Sequence, residues 1–404
     1  MGEPFGEVEQ GFDDLLSAAH RCAPDDLPAL AFRHAAALGV SELTVYLIDL
    51  QQEHLVALPG PGGRRPPLTL GGTMAGQAYR RLDVLDVLDE QAEGPPVTRV
   101  WLPLQDGIER LGVLEVVVAD LDAPTRRRLW RFASVVALLV VSKRAYSDTY
   151  LRVRRVQEMS LSAEMQWALL PPLTFGTDRL VISGALEPAY EIGGDAFDYS
   201  VSGHVAHLSI FDSMGHDLAA CLTASIAIGA SRGCRRRGAD LVETSRSIDE
   251  AVAAQFGRLR FVTALLLRLD SDTGRLTWIN RGHPTPLLIR DGRVVKSLSC
   301  PPSPPMGLGL GREPVVAEEQ LQPGDRLLLY SDGVVEGRSP DGEFFGLERF
   351  ADLVRRSDAD ALPAPETLRR LIRSVVDHQG GRLSDDATIL YVEWNGDQPD
   401  VVVP

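Results

Sequence analysis

The sequence predicts a chain of α/β (α+β) class, two mixed domains joined by a helical segment, and three observations carry that reading. Residues 13–121 alternate helix-like and strand-like patches. Residues 123–170 hold a long stretch of helical apolar periodicity with prolines at both ends. Residues 178–394 carry many short strand patterns punctuated by turn signals such as Asp270–Gly274 and Asp291-Gly292. At 404 residues and 44% hydrophobic composition, the chain is long enough for two or three cores.

The first region reads as a helix over Asp26–Ala37, a strand over Glu42–Asp49, and further strands at His54–Leu58, Val100–Pro103 and Leu111–Val118, the last two joined by the turn-like Gln105-Asp106-Gly107. Gly60–Pro67 is a loop, because its glycines and prolines break any period. In the second region Pro124 opens a helix and Pro171-Pro172 close the segment. Its apolar run Phe132–Val141 is about half the ~20 residues of a membrane span and reads as a buried helix. Downstream, Tyr146, Tyr150, Val153, Val156, Met159, Met165 and Leu169 form a stripe. This either pairs with a second copy as a dimeric coiled coil or packs on the chain's own domains. In the third region strands are expected at 180–186, 205–211, 261–269, 276–280, 286–289, 326–331 and 387–394, with helices at 216–233, 240–256 and 365–379. The boundaries follow: 1–122, a connector 123–172, 173–395, and a tail 396–404.

Composition excludes several classes. With 41 Lys plus Arg against 56 Asp plus Glu, the net charge is −15, which disfavours an extended nucleic-acid surface. The acidic start MGEPFGEVEQGFDDLL lacks the basic and apolar regions of a signal peptide, and Gly6 stands where myristoylation favours Ser or Thr, so a cytoplasmic protein with no membrane span is expected. Cys22, Cys221, Cys234 and Cys300 lie too far apart for a zinc motif and are expected to be reduced.

Chemistry concentrates in aspartates at strand ends. Asp195 follows Gly193-Gly194, Asp212 ends HVAHLSIFD, Asp332 ends RLLLYSD, and Asp385-Asp386 precede ATILYVEW. Carboxylates gathered at one sheet edge would repel one another without a cation, and an all-oxygen donor set suits Mg²⁺ or Mn²⁺. Spacing alone leaves open that these residues only cap helices or close turns.

In order, EPAYEIGGDAFD (187–198), DSMGH (212–216), FVT (261–263), NRGHP (280–284), DRLLLYSDG (325–333), FFG (344–346) and DDAT (385–388), preceded by QWALLP (166–171), resemble the motif series of the SpoIIE-like branch of PPM metal-dependent serine/threonine phosphatases. The resemblance implies an αββα sandwich holding two Mn²⁺ or Mg²⁺ ions. Asp212 bridges them, with the Ser213 carbonyl on one. Asp332 and Asp385 ligate the second ion and Asp195 acts on the first, partly through water. Asp198, Asp386 and Gly333 are nearby candidates of lower weight. His216, and with less weight His283, could protonate the leaving oxygen, or either could simply fix a loop by hydrogen bonding. Thr263 is expected to support the site. A water at the metals attacks phosphorus, so no phosphoenzyme residue is needed. Asp217 departs from the family's usual Gly, which puts the local loop torsions in question unless it caps the following helix.

Residues 1–122, with the helix start Gly71–Ala78 and VWLPLQDGIERLGVLEVVV, resemble a GAF sensory domain for an unknown small molecule or signal; Gly71–Ala78 lacks a Walker lysine. The basic cluster Arg232 and Arg235–Arg237 either complements a helix dipole or docks a partner. The combined resemblance implies a phosphatase, expected as a homodimer, acting on a phosphorylated STAS-type anti-sigma factor antagonist. The alternatives are an inactive phosphatase-fold module that sequesters a regulator, motivated by Asp217, and a sensor whose C-terminal domain only dimerises.

Overall fold

The computed structural model of the chain describes residues 5–60, 63, 65–89, 95–191, 193–301, 303–359 and 362–396. Ile192, parts of the Gly60–Pro67 loop and the tail beyond Gly396 therefore lie outside the described residues. The chain divides into two compact units, Met1–Glu158 and Met159–Pro404.

The first unit runs α1 (Phe5–Ala19), α2 (Leu27–Ala35), β1 (Val40–Ile48), β2 (His54–Ala57), β3 (Leu68–Thr69), α3 (Met74–Arg81), β4 (Leu85–Asp89), β5 (Val97–Asp106), β6 (Glu109–Val118), α4 (Ala123–Lys143) and α5 (Asp148–Arg154). Its strands form one antiparallel sheet in the order β3-β2-β1-β6-β5-β4. Side chains alternate across a strand, so Val45 and Leu47 join Leu30, Phe132 and Val136 under the helices on one face. Tyr46 and Ile48 meet Tyr79 of α3 on the other. Covering both faces explains why β1 is buried almost throughout instead of every second residue.

The apolar stripe of the connector does not continue along one helix. A 3-10 turn at Arg144–Tyr146 and the Ser147 cap of α5 break it once. Residues 155–160 break it again before α6 (Leu161–Leu169), which Ser160 caps through the Ala163 amide. Tyr150 and Val153 pack into the core of the first unit. Met159, Trp167 and Leu170 pack around Ala163 and Leu186 of the second, while Tyr146 is 78% exposed. The stripe is thus divided between two cores, the physical alternative to a continuous coiled-coil seam.

After α6 the second unit runs β7 (Thr174–Gly176), β8 (Leu180–Glu187), β9 (Asp195–Ser202), β10 (Val205–Ser213), α7 (Leu218–Arg236), α8 (Leu241–Phe256), β11 (Val262–Asp270), β12 (Arg275–Arg281), β13 (Leu287–Arg290), β14 (Arg293–Ser297), β15 (Ala317–Gln320), β16 (Asp325–Tyr330), α9 (Asp332–Val335), α10 (Gly346–Ala359), α11 (Ala364–His378) and β17 (Ala387–Trp394). Two sheets form, β15-β12-β11-β10-β9 and β14-β13-β16-β17-β8-β7. Leu208, Ile210, Leu265, Leu267, Leu329 and Leu390 are among the residues filling the space between them. α7 and α8 cover the outside of the first through Ala224, Ile228, Ile248 and Val252, and α10 and α11 cover the second through Phe350, Val354, Leu371 and Val375. The layers are the αββα sandwich that the resemblance implies. No helix among the described residues is long and apolar enough to cross a membrane.

Candidate active site

The site grows from the ends of four strands. In the antiparallel β9–β10 ladder Asp195 stands opposite Asp212, and both share a parity with residues that face the other sheet, Phe197 on β9 and Leu208 and Ile210 on β10. Directly opposed residues bring their Cβ atoms within about 4.5–5.5 Å. In the other sheet Tyr330 near the end of β16 pairs with Ile389 near the start of β17, so Asp332 and Asp385-Asp386 arrive at one edge. Ser331 ties them together: its hydroxyl donates to the Asp386 carbonyl at 3.3 Å and accepts from the Thr388 amide at 2.9 Å. Gly333 lets α9 close on this edge, since a Cβ there would meet the Asp386 carbonyl oxygen at 2.1 Å.

Asp386 joins the two sheets. Its Oδ2 accepts the backbone N–H groups of Gly193, Gly194 and Asp195 at 3.0, 2.8 and 3.3 Å. Both glycines are required by close approach. A Cβ on Gly193 would fall 2.3 Å from the His216 carbonyl oxygen, and one on Gly194 2.6 and 2.7 Å from those of Gly215 and Ser213. The Gln166 side chain of α6, 1% exposed, donates to the Asp195 carbonyl, and the Trp167 indole donates to Ala189 at 2.8 Å. These braces were not expected from the sequence. The available signal was a polar amide at a helical position otherwise reserved for apolar packing.

Electrostatics mark the cluster. Burial, then the charges of Asp212 and Asp386, push the Asp195 carboxyl well above the usual range, and its Oδ2 is buried with no hydrogen-bond partner. Burial and the charges of Asp332, Asp385 and Asp386 raise Asp212 to about 7. Burial and Asp385 raise Asp332. Burial also raises Asp386, against the three amides that favour its charged form. Asp385 is exposed at the rim and Ser213 is buried beside Asp212. Among the described residues no three His, Cys, Asp or Glu side chains are already closed into a metal-holding group. The donors are nonetheless all oxygen, share one edge, and raise one another's pKa, a combination that divalent cations relieve. The residues present therefore fit Mg²⁺ or Mn²⁺ in chemistry.

Asp198 is not part of this cluster. Three residues from Asp195, it has the opposite parity and turns to the helix side of the sheet. There Arg232 holds its Oδ1 at 2.7 Å and Arg235 its Oδ2 at 2.8 Å. The same contacts give two arginines of the basic cluster a further role, clamping a buried carboxylate. His216 is exposed on the loop before α7. His283 is buried and neutral, its pKa driven down to about 3 by desolvation, with Nδ1 at 2.9 Å from the Thr263 hydroxyl and its backbone held by the Asn280 side chain. It fixes a loop, with Thr263 in support. Asp217 sits at φ −93° and caps α7 by accepting the Ala220 amide at 2.8 Å, while Arg260 reaches its other oxygen at 2.8 Å. The positive φ of the loop belongs to Gly215. Asp217 therefore imposes no strain, and the sequestering-module reading loses the observation that motivated it.

Residues 202–395 match the family model described as Stage II sporulation protein E (SpoIIE). Protein IcfG of Synechocystis sp. is 28% identical over 152 residues, covering 37% of this chain and 23% of IcfG. The phosphoserine phosphatase RsbP of Bacillus subtilis is 26% identical over 186 residues, 45% of each protein. Among solved structures, the SiaA-PP2C domain of Pseudomonas aeruginosa is similar with a TM-score of 0.49 at 23% identity, over 58% of this chain and 94% of that one. The chain thus spans less than half the length of these two curated relatives.

Proposed function

We propose that this chain, whose residues 202–395 match the SpoIIE family model and which is similar to the phosphoserine phosphatases RsbP and RsbU, is a metal-dependent serine/threonine protein phosphatase. It hydrolyses phosphoserine or phosphothreonine on a signalling protein, a STAS-type anti-sigma factor antagonist, under control of a GAF-like sensor in residues 1–122. The observation that carries the reading is the opposed pair Asp195 and Asp212, whose raised pKa values come from burial and from neighbouring carboxylates.

Asp195, Asp212, the Ser213 carbonyl, Asp332 and Asp385 would hold two Mn²⁺ or Mg²⁺ ions. Bound there, the ions supply charge neutralisation for the phosphoryl group and a hydroxide nucleophile near neutral pH. The chain's own residues prepare that site. Asp386 fixes the Gly193–Asp195 backbone, Ser331 aligns the two strand ends, and Gln166 holds the Asp195 carbonyl from behind. Burial, which drives the His283 pKa down, and its hydrogen bond to Thr263 argue against His283 as the proton donor. The exposed His216 is the imidazole free to approach a leaving serine oxygen. Support for a GAF-like first unit comes from its antiparallel sheet with helices on both faces.

Phosphate release from an aryl phosphate and a phosphoserine peptide is expected to need Mn²⁺ or Mg²⁺, to stop in EDTA, and to fall at least ~100-fold in Asp212→Ala and Asp332→Ala. Wild-type protein that binds no Mn²⁺ by calorimetry and releases no phosphate overturns the proposal.

A further inference from the structure

We propose that the cavity between the outer face of the β10–β11 pair and the α7–α8 turn binds a phosphate dianion or phosphate monoester. The cavity has a volume of about 170 Å³, and its wall includes His207, Arg235 and Arg268 together with Leu241 and Val242 from the first turn of α8. Strand parity creates it. Ala206 and Leu208 enter the core between the sheets, as do Leu267 and Leu269, so His207 and Arg268 turn outward. The cavity therefore lies on the opposite face of the sheet from Asp212, five residues and about 17 Å along β10. It is separate from the carboxylate cluster and of opposite charge.

Its donors are open. Arg268 has no carboxylate partner among the described residues, and Arg235 gives one Nη1 to Asp198. Ser231 is 6% exposed, lines the cavity, and its hydroxyl has no hydrogen-bond partner among the described residues. The first amides of a helix lack intrahelical acceptors, and the Asp240 cap takes that of Glu243, leaving Leu241 and Val242 at the positive end of the α8 dipole. Asp240 is the one acid in the wall, and three basic side chains face it. Burial first, and the charges of Arg235 and Arg268 after it, hold His207 below its ordinary pKa, and an anion would relieve the part that the arginines contribute. Two guanidinium groups and a hydroxyl favour a multivalent oxyanion over chloride.

The test is calorimetry on the full chain in EDTA, where the uncompensated aspartates of the other site repel phosphate and turnover plays no part. Inorganic phosphate and glycerol phosphate are titrated separately, to distinguish a free anion from a monoester. At least one is expected to bind the wild type, with affinity reduced 10-fold or more in Arg268→Ala and in Ser231→Ala and unchanged in Arg338→Ala, a surface control. Arg268 is exposed, so its removal leaves the core intact, and an unchanged melting temperature verifies this. No binding of either anion by the wild type, or equal binding in Arg268→Ala, overturns the proposal.

Discussion

At the residue scale the carboxylates of the site work against the fold that holds them. A carboxyl whose pKa is raised on folding binds more protons in the native state than in the unfolded chain, so stability falls as pH rises between the two values. For Asp212 that window runs from the ordinary carboxylate value up to about 7, and the penalty is complete above it. Metal-free protein is therefore expected to melt lower at pH 8 than at pH 5. Asp212→Asn should recover roughly 3–4 kcal/mol of stability at pH 8 and less than half of that, about 1–2 kcal/mol, at pH 5, at 1.36 kcal/mol per pKa unit. Mn²⁺ should raise the wild-type melting temperature more at pH 8 than at pH 5. Differential scanning calorimetry with and without Mn²⁺ checks all three, and a pH-independent metal-free melting curve would contradict the electrostatic picture.

At the element scale Asp198 tests the division between site and scaffold. Its carboxylate is 1% exposed and tied to two arginines of α7. Removing one partner of a buried ion pair leaves charge uncompensated, at ~3–5 kcal/mol for full burial; since the arginines keep some solvent, Asp198→Ala is expected to cost about 2–4 kcal/mol in urea unfolding. Calorimetric Mn²⁺ affinity should stay within about 3-fold of wild type, whereas Asp195→Ala should lose it. The strands of the second unit were legible because apolar runs ending in Asp and Gly state both a sandwich core and its rim. Which aspartates meet was less legible, because that depends on parity. The strand beginning at Asp195 is short of apolar residues, so its alternation, and with it the outward turn of Asp198, became visible only with β10 alongside. Gln166 and the double role of Asp386 depend on contacts between residues up to 193 positions apart, which no local pattern reports. The connector misled in the opposite way. Its periodicity is real, but Ser147 and Ser160 act as caps that divide it.

At the scale of the whole molecule, each unit has a hydrophobic interior of its own among the described residues. The cores of the first draw on residues no later than Val153, and those of the second on residues from Met159 onward. Fragments 1–158 and 159–404, produced separately, are each expected to unfold cooperatively, and only the second should be stabilised by Mn²⁺, by several °C at saturation. A fragment 159–404 that is unfolded on its own by near-ultraviolet circular dichroism would show that the division of cores is not a division of stability. The Asp195–Asp212 pairing carries one more consequence. Side chains change face with every step along a strand, so a slip of β9 by one residue against β10 would point Ala196 where Asp195 belongs and bury the acid among the helices. The alignment of two hydrogen-bonded strands thus doubles as a proofreading step: a chain that has paired them wrongly cannot bring its two acids together, and under the proposed function Mn²⁺ binding would report that the sheet closed in the right frame.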